Sequence, residues 1–119
     1  MAVFKGAGVG CPTDQSGSLT ALNINAGSPP TLSVAWCAGP ATVDSPSVSM
    51  TSADGNDVLV WIVGSDNRLY ALDGITGATV FAGGGTSDTM SAVQKFTTPI
   101  IANGRVFVAA NARVYAFTP

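Results

Sequence analysis

Residues 61–72 read Trp61-Ile62-Val63-Gly64-Ser65-Asp66-Asn67-Arg68-Leu69-Tyr70-Ala71-Leu72, and residues 106–117 read Val106-Phe107-Val108-Ala109-Ala110-Asn111-Ala112-Arg113-Val114-Tyr115-Ala116-Phe117. At an offset of 45 residues, Arg, Tyr and Ala recur in register, and the apolar run ahead of them recurs too. Further back, Ser45-Pro46-Ser47-Val48 answers Thr98-Pro99-Ile100-Ile101 at a slightly larger offset, because the loop over 51–57 is longer. A more divergent copy opens the chain: Gly17-Ser18-Leu19-Thr20-Ala21-Leu22-Asn23 matches residues 67–73 at an offset of 50. Self-similarity at a fixed spacing of roughly 20–50 residues marks an array of stacked units, each unable to bury its apolar surface alone.

Each unit reads as short strands. Residues 44–50 alternate after a Ser-Pro start, and proline is tolerated at a strand's first position. Residues 58–63 form a continuous apolar run closed by Gly64, as expected of a strand buried on both faces. Residues 68–72 lie between the Ser65-Asp66-Asn67 turn and Asp73-Gly74, and residues 78–82 lie between Gly77 and the glycines at 83–85. No segment carries a helical period; residues 86–95 are polar enough for a loop or a single turn. The expected class is therefore all-β, antiparallel, with four strands per unit. That is the arithmetic of a β-propeller blade, strands A to D running outward from the axis. The chain fits one partial propeller domain over 1–119, with blade pieces at about 1–38, 44–85 and 96–119 running B-C-D, A-B-C-D and A-B-C.

Composition agrees. Of 119 residues, 46% are apolar and only 10% charged, with a mean hydropathy of +0.36, far from the composition of disordered chains. All seven acids are Asp, a turn residue, and none is the helix former Glu. A net charge of −2 with five Lys and Arg leaves no basic stripe for a nucleic acid, and no stretch is long and apolar enough to span a bilayer. Residues 1–10 lack the charged and apolar regions of a signal peptide, so any leader is expected upstream or already removed.

The turn between the third and fourth strands of the second unit carries a recognisable pattern. Ala71, Asp73, Thr76, Gly77 and Phe81 resemble the tryptophan-docking motif of the PQQ-like repeat in quinoprotein-like β-propellers, Ala-x-Asp-x-x-Thr-Gly-Lys-x-x-Trp. Ala78 stands in place of Lys and Phe81 in place of Trp. The first unit keeps Ala21, has Asn23 for Asp, keeps Gly27, and reaches Trp36 after an insertion holding Ser28-Pro29-Pro30. The third keeps Ala116. The residues also have a physical reading of their own. Asp73 and Thr76 suit bonds to backbone N–H groups in a tight turn, Gly77 supplies positive φ, and the aromatic packs on small residues of a neighbouring unit.

Chemistry is sparse. With no His, neither a Ser-His-Asp or Cys-His arrangement nor a His-anchored metal site is available. Asp66 and Asp73 sit at opposite ends of one strand and read as turn formers. The loop Asp54-Gly55-Asn56-Asp57 is the best cation candidate, Asp54, Asn56 and Asp57 offering oxygens to Ca²⁺. Three side chains fall short of the roughly six to eight oxygens Ca²⁺ takes, so a plain turn is favoured. Gly6-Ala7-Gly8-Val9-Gly10 precedes no helix and no Lys-Ser/Thr, and is a hairpin rather than a phosphate loop. Cys11, in the loop over 9–16, and Cys37, ending a strand, fall on one rim of an antiparallel sheet. They suit either a disulfide or one buried and one exposed thiol. A bridge implies an oxidising compartment, extracellular or periplasmic.

Three functions are open at this level. One is a non-catalytic propeller scaffold, from the C-terminal part of a larger protein, presenting loops to a protein or saccharide. Another is a piece of a PQQ-dependent dehydrogenase. That resemblance implies a vicinal disulfide, a Ca²⁺ held by Glu and Asn, and a catalytic Asp; the chain has no Cys-Cys pair and no Glu, so those residues would lie outside it. The third is a self-assembling surface protein. Unpaired strand edges at either end invite either the remaining blades or self-association.

Overall fold

A computed structural model describes residues 1–6, 10–40, 43, 49–51 and 57–118, with the backbone alone for 49–51. The chain folds as three antiparallel meanders in sequence order. The first holds β1 (Ala2–Lys5), β2 (Leu19–Asn25) and β3 (Thr31–Ala38); the second β4 (Ser49–Thr51), β5 (Leu59–Val63), β6 (Leu69–Asp73) and β7 (Thr79–Ala82); the third β8 (Ile100–Ala102), β9 (Arg105–Ala110) and β10 (Arg113–Phe117). Within each sheet every strand pairs with its neighbour in sequence, and the described residues hold no α-helix, only a 3₁₀ turn at Thr86–Asp88. The all-β antiparallel class read from the sequence is therefore correct.

Side-chain alternation divides each sheet into two faces, and two apolar seams join the three sheets. In the first seam, Leu19, Ala21 and Trp36 of the first sheet meet Val60, Ile62 and Leu72 of the second, with Val3, Tyr70 and Val43 beside them. In the second, Trp61, Val63, Leu69 and Ala71 meet Val106 and Val108 of the third, closed by Phe81, Tyr115, Phe117 and Met90. The middle sheet is thus covered on both faces. That is why β5 is a run of apolar residues without alternation.

The seams are built from equivalent positions. Ala21 pairs with Trp36 and Ala71 with Phe81, and each pairing is followed by a β-bulge, between Ala21 and Leu22 and between Ala71 and Leu72. Val3 faces Ala21, Trp61 faces Ala71 and Phe107 faces Ala116 across the inner strands. The last pairing corrects the sequence alignment, in which a uniform offset of 45 sets Val106 against Trp61. The β5–β6 hairpin closes with Gly64 N–H on Arg68 O around Ser65-Asp66-Asn67, whereas β9–β10 pairs Ala110 with Arg113 around Asn111-Ala112 alone. One residue is missing from the later turn, so the offset is 46 in β9 and 45 in β10. A one-residue slip inverts every side chain of a strand. Only the 46 offset puts Val106 and Val108 on the face that Val60 and Ile62 occupy in the second sheet.

The segment after β7, read from sequence as a loop or a single turn, holds the 3₁₀ turn and also carries core. Asn67, in the left-handed conformation at φ 60°, accepts the Met90 N–H on its carbonyl and the Val93 N–H on Oδ1. Met90 is thereby seated in the second seam. Leu69 and Val114 occupy equivalent positions, one covered by a sheet and one not. Leu69→Ala should lower the stability measured by urea unfolding by about 2–5 kcal/mol at unchanged m. Val114→Ala should stay within about 0.5 kcal/mol.

Candidate functional site

The best-defined polar structure in the molecule is the β6–β7 turn, residues 73–78. Asp73 Oδ1 accepts the N–H groups of Ile75 (3.0 Å) and Thr76 (2.7 Å) and the Thr76 hydroxyl (2.8 Å). Thr76 Oγ1 in turn accepts from Ala78 N–H, and Gly77 N–H and Ala78 O close the turn on the Asp73 backbone. Gly77 sits at φ +77°, a region closed to most side chains. These bonds hold the Asp73 carboxyl below the usual carboxylate range: first the Thr76 N–H, then the Thr76 hydroxyl, with the Ile75 N–H adding to them.

Trp36 of the first sheet docks on this turn. It is buried, and its Nε1–H donates to Gly74 O at 2.8 Å. The indole lies against Gly77, where a Cβ would stand 2.8 Å from Cδ2 and Cε3 of the ring. Gly77 is therefore required twice over, for its φ and for the ring's approach. The turn bonds preorganise a platform, and the ring and its N–H lock a neighbouring sheet onto it.

The other motif positions divide. Ala71 and Ala21 lie beneath the cross-strand aromatic, where a larger side chain would displace it. Phe81 packs at 6.4 Å between centroids from Trp61, tilted 55°, in the second seam; having no N–H it makes no bond like that of Trp36. Gly27 is not the counterpart of Gly77: it lacks positive φ and belongs to a longer hairpin between β2 and β3, beside the cis Ser28–Pro29 peptide. The Ser28-Pro29-Pro30 insertion has replaced the tight turn in the first unit.

Cys11 and Cys37 are joined in a disulfide with Cα atoms 5.6 Å apart. Gln15 Oε1 accepts the Cys37 N–H, and the Thr20 hydroxyl donates to Gly6 O, which binds the loop to β2 and β3. Of the cation candidates, Asp57 is exposed, and Asp54 and Asn56 lie outside the described residues. Among the described residues no three His, Cys, Asp or Glu side chains gather where they could hold a metal ion. Two shallow depressions of about 360 Å³ flank the docking turn, one lined by Asp14, Gln15 and Thr76, the other by Met1, Asn23 and Ile75. Neither brings ionisable groups together. Among the described residues no helix is long and apolar enough to cross a membrane. What the arrangement does is join the first sheet to the second, through the Trp36 N–H on Gly74 O and the ring against Gly77.

Comparison with protein-family models, with curated proteins and with solved structures found no match.

Two substitutions test the turn. Gly77→Ala should destabilise the protein in thermal unfolding by about 1–2 kcal/mol from the left-handed backbone alone, and by more once the ring is displaced. Because the folded-state pKa of Asp73 is depressed, its contribution is present above the unfolded value of about 3.9 and is lost as pH falls through the lower folded value. Asp73→Asn should therefore be less stable than wild type at pH 7, and the gap measured by urea unfolding should shrink on acidification below about pH 4.

Proposed function

We propose that this chain is a non-catalytic scaffold, a segment of a quinoprotein-like β-propeller whose sheets are blades locked together by an aromatic docked on the next blade's turn. The observation that carries the reading is the seating of Trp36 on the Asp73–Ala78 turn, with its N–H on Gly74 O and its ring on Gly77. Its support is the repetition of the same seam one sheet further on, with equivalent alanines, aromatics and bulges. Apart from Gly27, the motif residues build the docking turn or the two seams, which leaves loops at the rims as a surface to offer to partners.

The partner class that fits best is protein, including further sheets of this kind. The outward face of the third sheet, with Val114 70% and Ile100 64% exposed, repeats the face that Leu69 and Trp61 bury in the second. An oxidising compartment, extracellular or periplasmic, suits the disulfide. For the dehydrogenase alternative nothing carries over beyond the docking motif, and its cofactor residues would lie outside this chain.

Two measurements test the proposal together. In amide and indole exchange followed by NMR, the Trp36 indole N–H should be strongly protected; rapid exchange in the folded protein would remove the docking contact. Titration with PQQ and Ca²⁺, followed by the cofactor's absorbance and by dye reduction, should give neither saturable binding nor turnover. Saturable dye reduction would show that the chain is more than a scaffold.

A further inference from the structure

In the middle sheet, Val60 opposite Leu72 and Ile62 opposite Tyr70 form the face that receives the first sheet. The same register in the first sheet sets Ala2 opposite Leu22 and Phe4 opposite Thr20, on the side away from the second sheet. No sheet of the described residues lies there, yet Thr20 is 1% exposed and Cys37, its partner across β2–β3, is 2% exposed. The loop ahead of β2 supplies the cover. Cys11 is bonded to Cys37, Gln15 caps the Cys37 N–H, Gly6 O accepts the Thr20 hydroxyl, and a Cβ at Gly10 would touch Val34. Below the loop the same face stays open at Phe4, Ile24 and Leu32. The far end of the molecule has no such cover. The outward face of the third sheet is apolar throughout its middle, with Ile100, Phe107 and Ala116 in one row and Ala109 and Val114 in the next.

We infer that the Cys11–Cys37 loop is a thiol-controlled cap, which while oxidised stops the first sheet of one copy from stacking on the third sheet of another. The inference rests on the scaffold reading above. The occupant of the face is a second copy because the inner-strand rows of both halves are present in one chain. Phe107, Ala109, Val114 and Ala116 repeat the positions that Trp61, Val63, Leu69 and Ala71 bury in the second sheet. Ala2, Phe4, Thr20 and Leu22 repeat the receiving positions Val60, Ile62, Tyr70 and Leu72, although the docked aromatic and its glycine turn are not repeated there. Such a contact is head-to-tail, and each added copy leaves a new free end. Opening the cap takes a dithiol reductant. Its thiolate attacks one sulfur, a mixed disulfide forms and resolves, and two electrons and two protons pass to the chain. Cys11 and Cys37 become thiols and the reductant becomes a disulfide.

Sedimentation velocity on the whole chain over a concentration series decides the matter. The oxidised chain should sediment as a single species. After reduction with dithiothreitol, with far-UV circular dichroism confirming retained strand structure, the weight-average mass should rise at least about twofold with concentration, as an open head-to-tail contact requires. Val114→Asp should hold the reduced chain at unit mass. A second route opens the cap without redox chemistry: residues 10–16 replaced by Gly-Ser-Gly, with Cys37→Val to keep the buried position apolar. This variant should associate with no reductant present. The inference is overturned if the folded, reduced chain and the loop variant stay single, or if Val114→Asp associates as wild type does. It is also overturned if both uncapped forms unfold, since the loop would then serve only to hold the first sheet together. Failure here leaves protection of the Trp36 indole untouched, so the two readings fail separately.

Discussion

The indole of Trp36 lies across a peptide that only glycine can occupy, and the arrangement of the molecule follows from that contact. A small, half-polar sheet cannot bury enough surface to be stable alone. It needs a neighbour at a fixed distance, and the close approach of the ring to Gly77 sets that distance. The hydrogen bond from Nε1 to Gly74 O adds direction to what would otherwise be non-directional packing. The carboxylate of Asp73 matters one step removed. By gathering two backbone N–H groups and a hydroxyl it fixes the turn before the ring arrives, so little ordering is left to oppose docking.

Strands and their pairing order were legible because they rest on local rules: apolar runs bounded by turn residues, and neighbours in sequence that are neighbours in the sheet. The docking turn was legible for the same reason, since Asp73, Thr76 and Gly77 act within a few residues of one another. What escaped was non-local. Met90 is unremarkable in a polar stretch, and its burial depends on Asn67, far back in the chain, capturing two N–H groups of that stretch. Gly27 matched a motif letter, but a lengthened hairpin with Ser28-Pro29-Pro30 had removed the turn that gave the letter its meaning.

The candidate site is built as a joint between two sheets. Its polar groups satisfy one another, and among the described side chains no buried nitrogen or oxygen is left without a partner to be filled by a ligand. Under the scaffold reading we propose, the informative surfaces are those the joints leave over. They are a bare apolar face at one end and, at the other, a face half covered by a disulfide-bound loop.

The shortened turn between β9 and β10 bears on how such chains drift. Losing a residue within a strand would turn its packed side chains out to water, whereas losing one at a hairpin tip leaves both strands in place. Changes of length should therefore accumulate at the tips while the strands keep their parity. Repeated units then fall out of step by single residues at each hairpin, and matching them at one constant lag understates their likeness. Matching residues by their cross-strand partner, as Ala71 with Trp61 and Ala116 with Phe107, restores it.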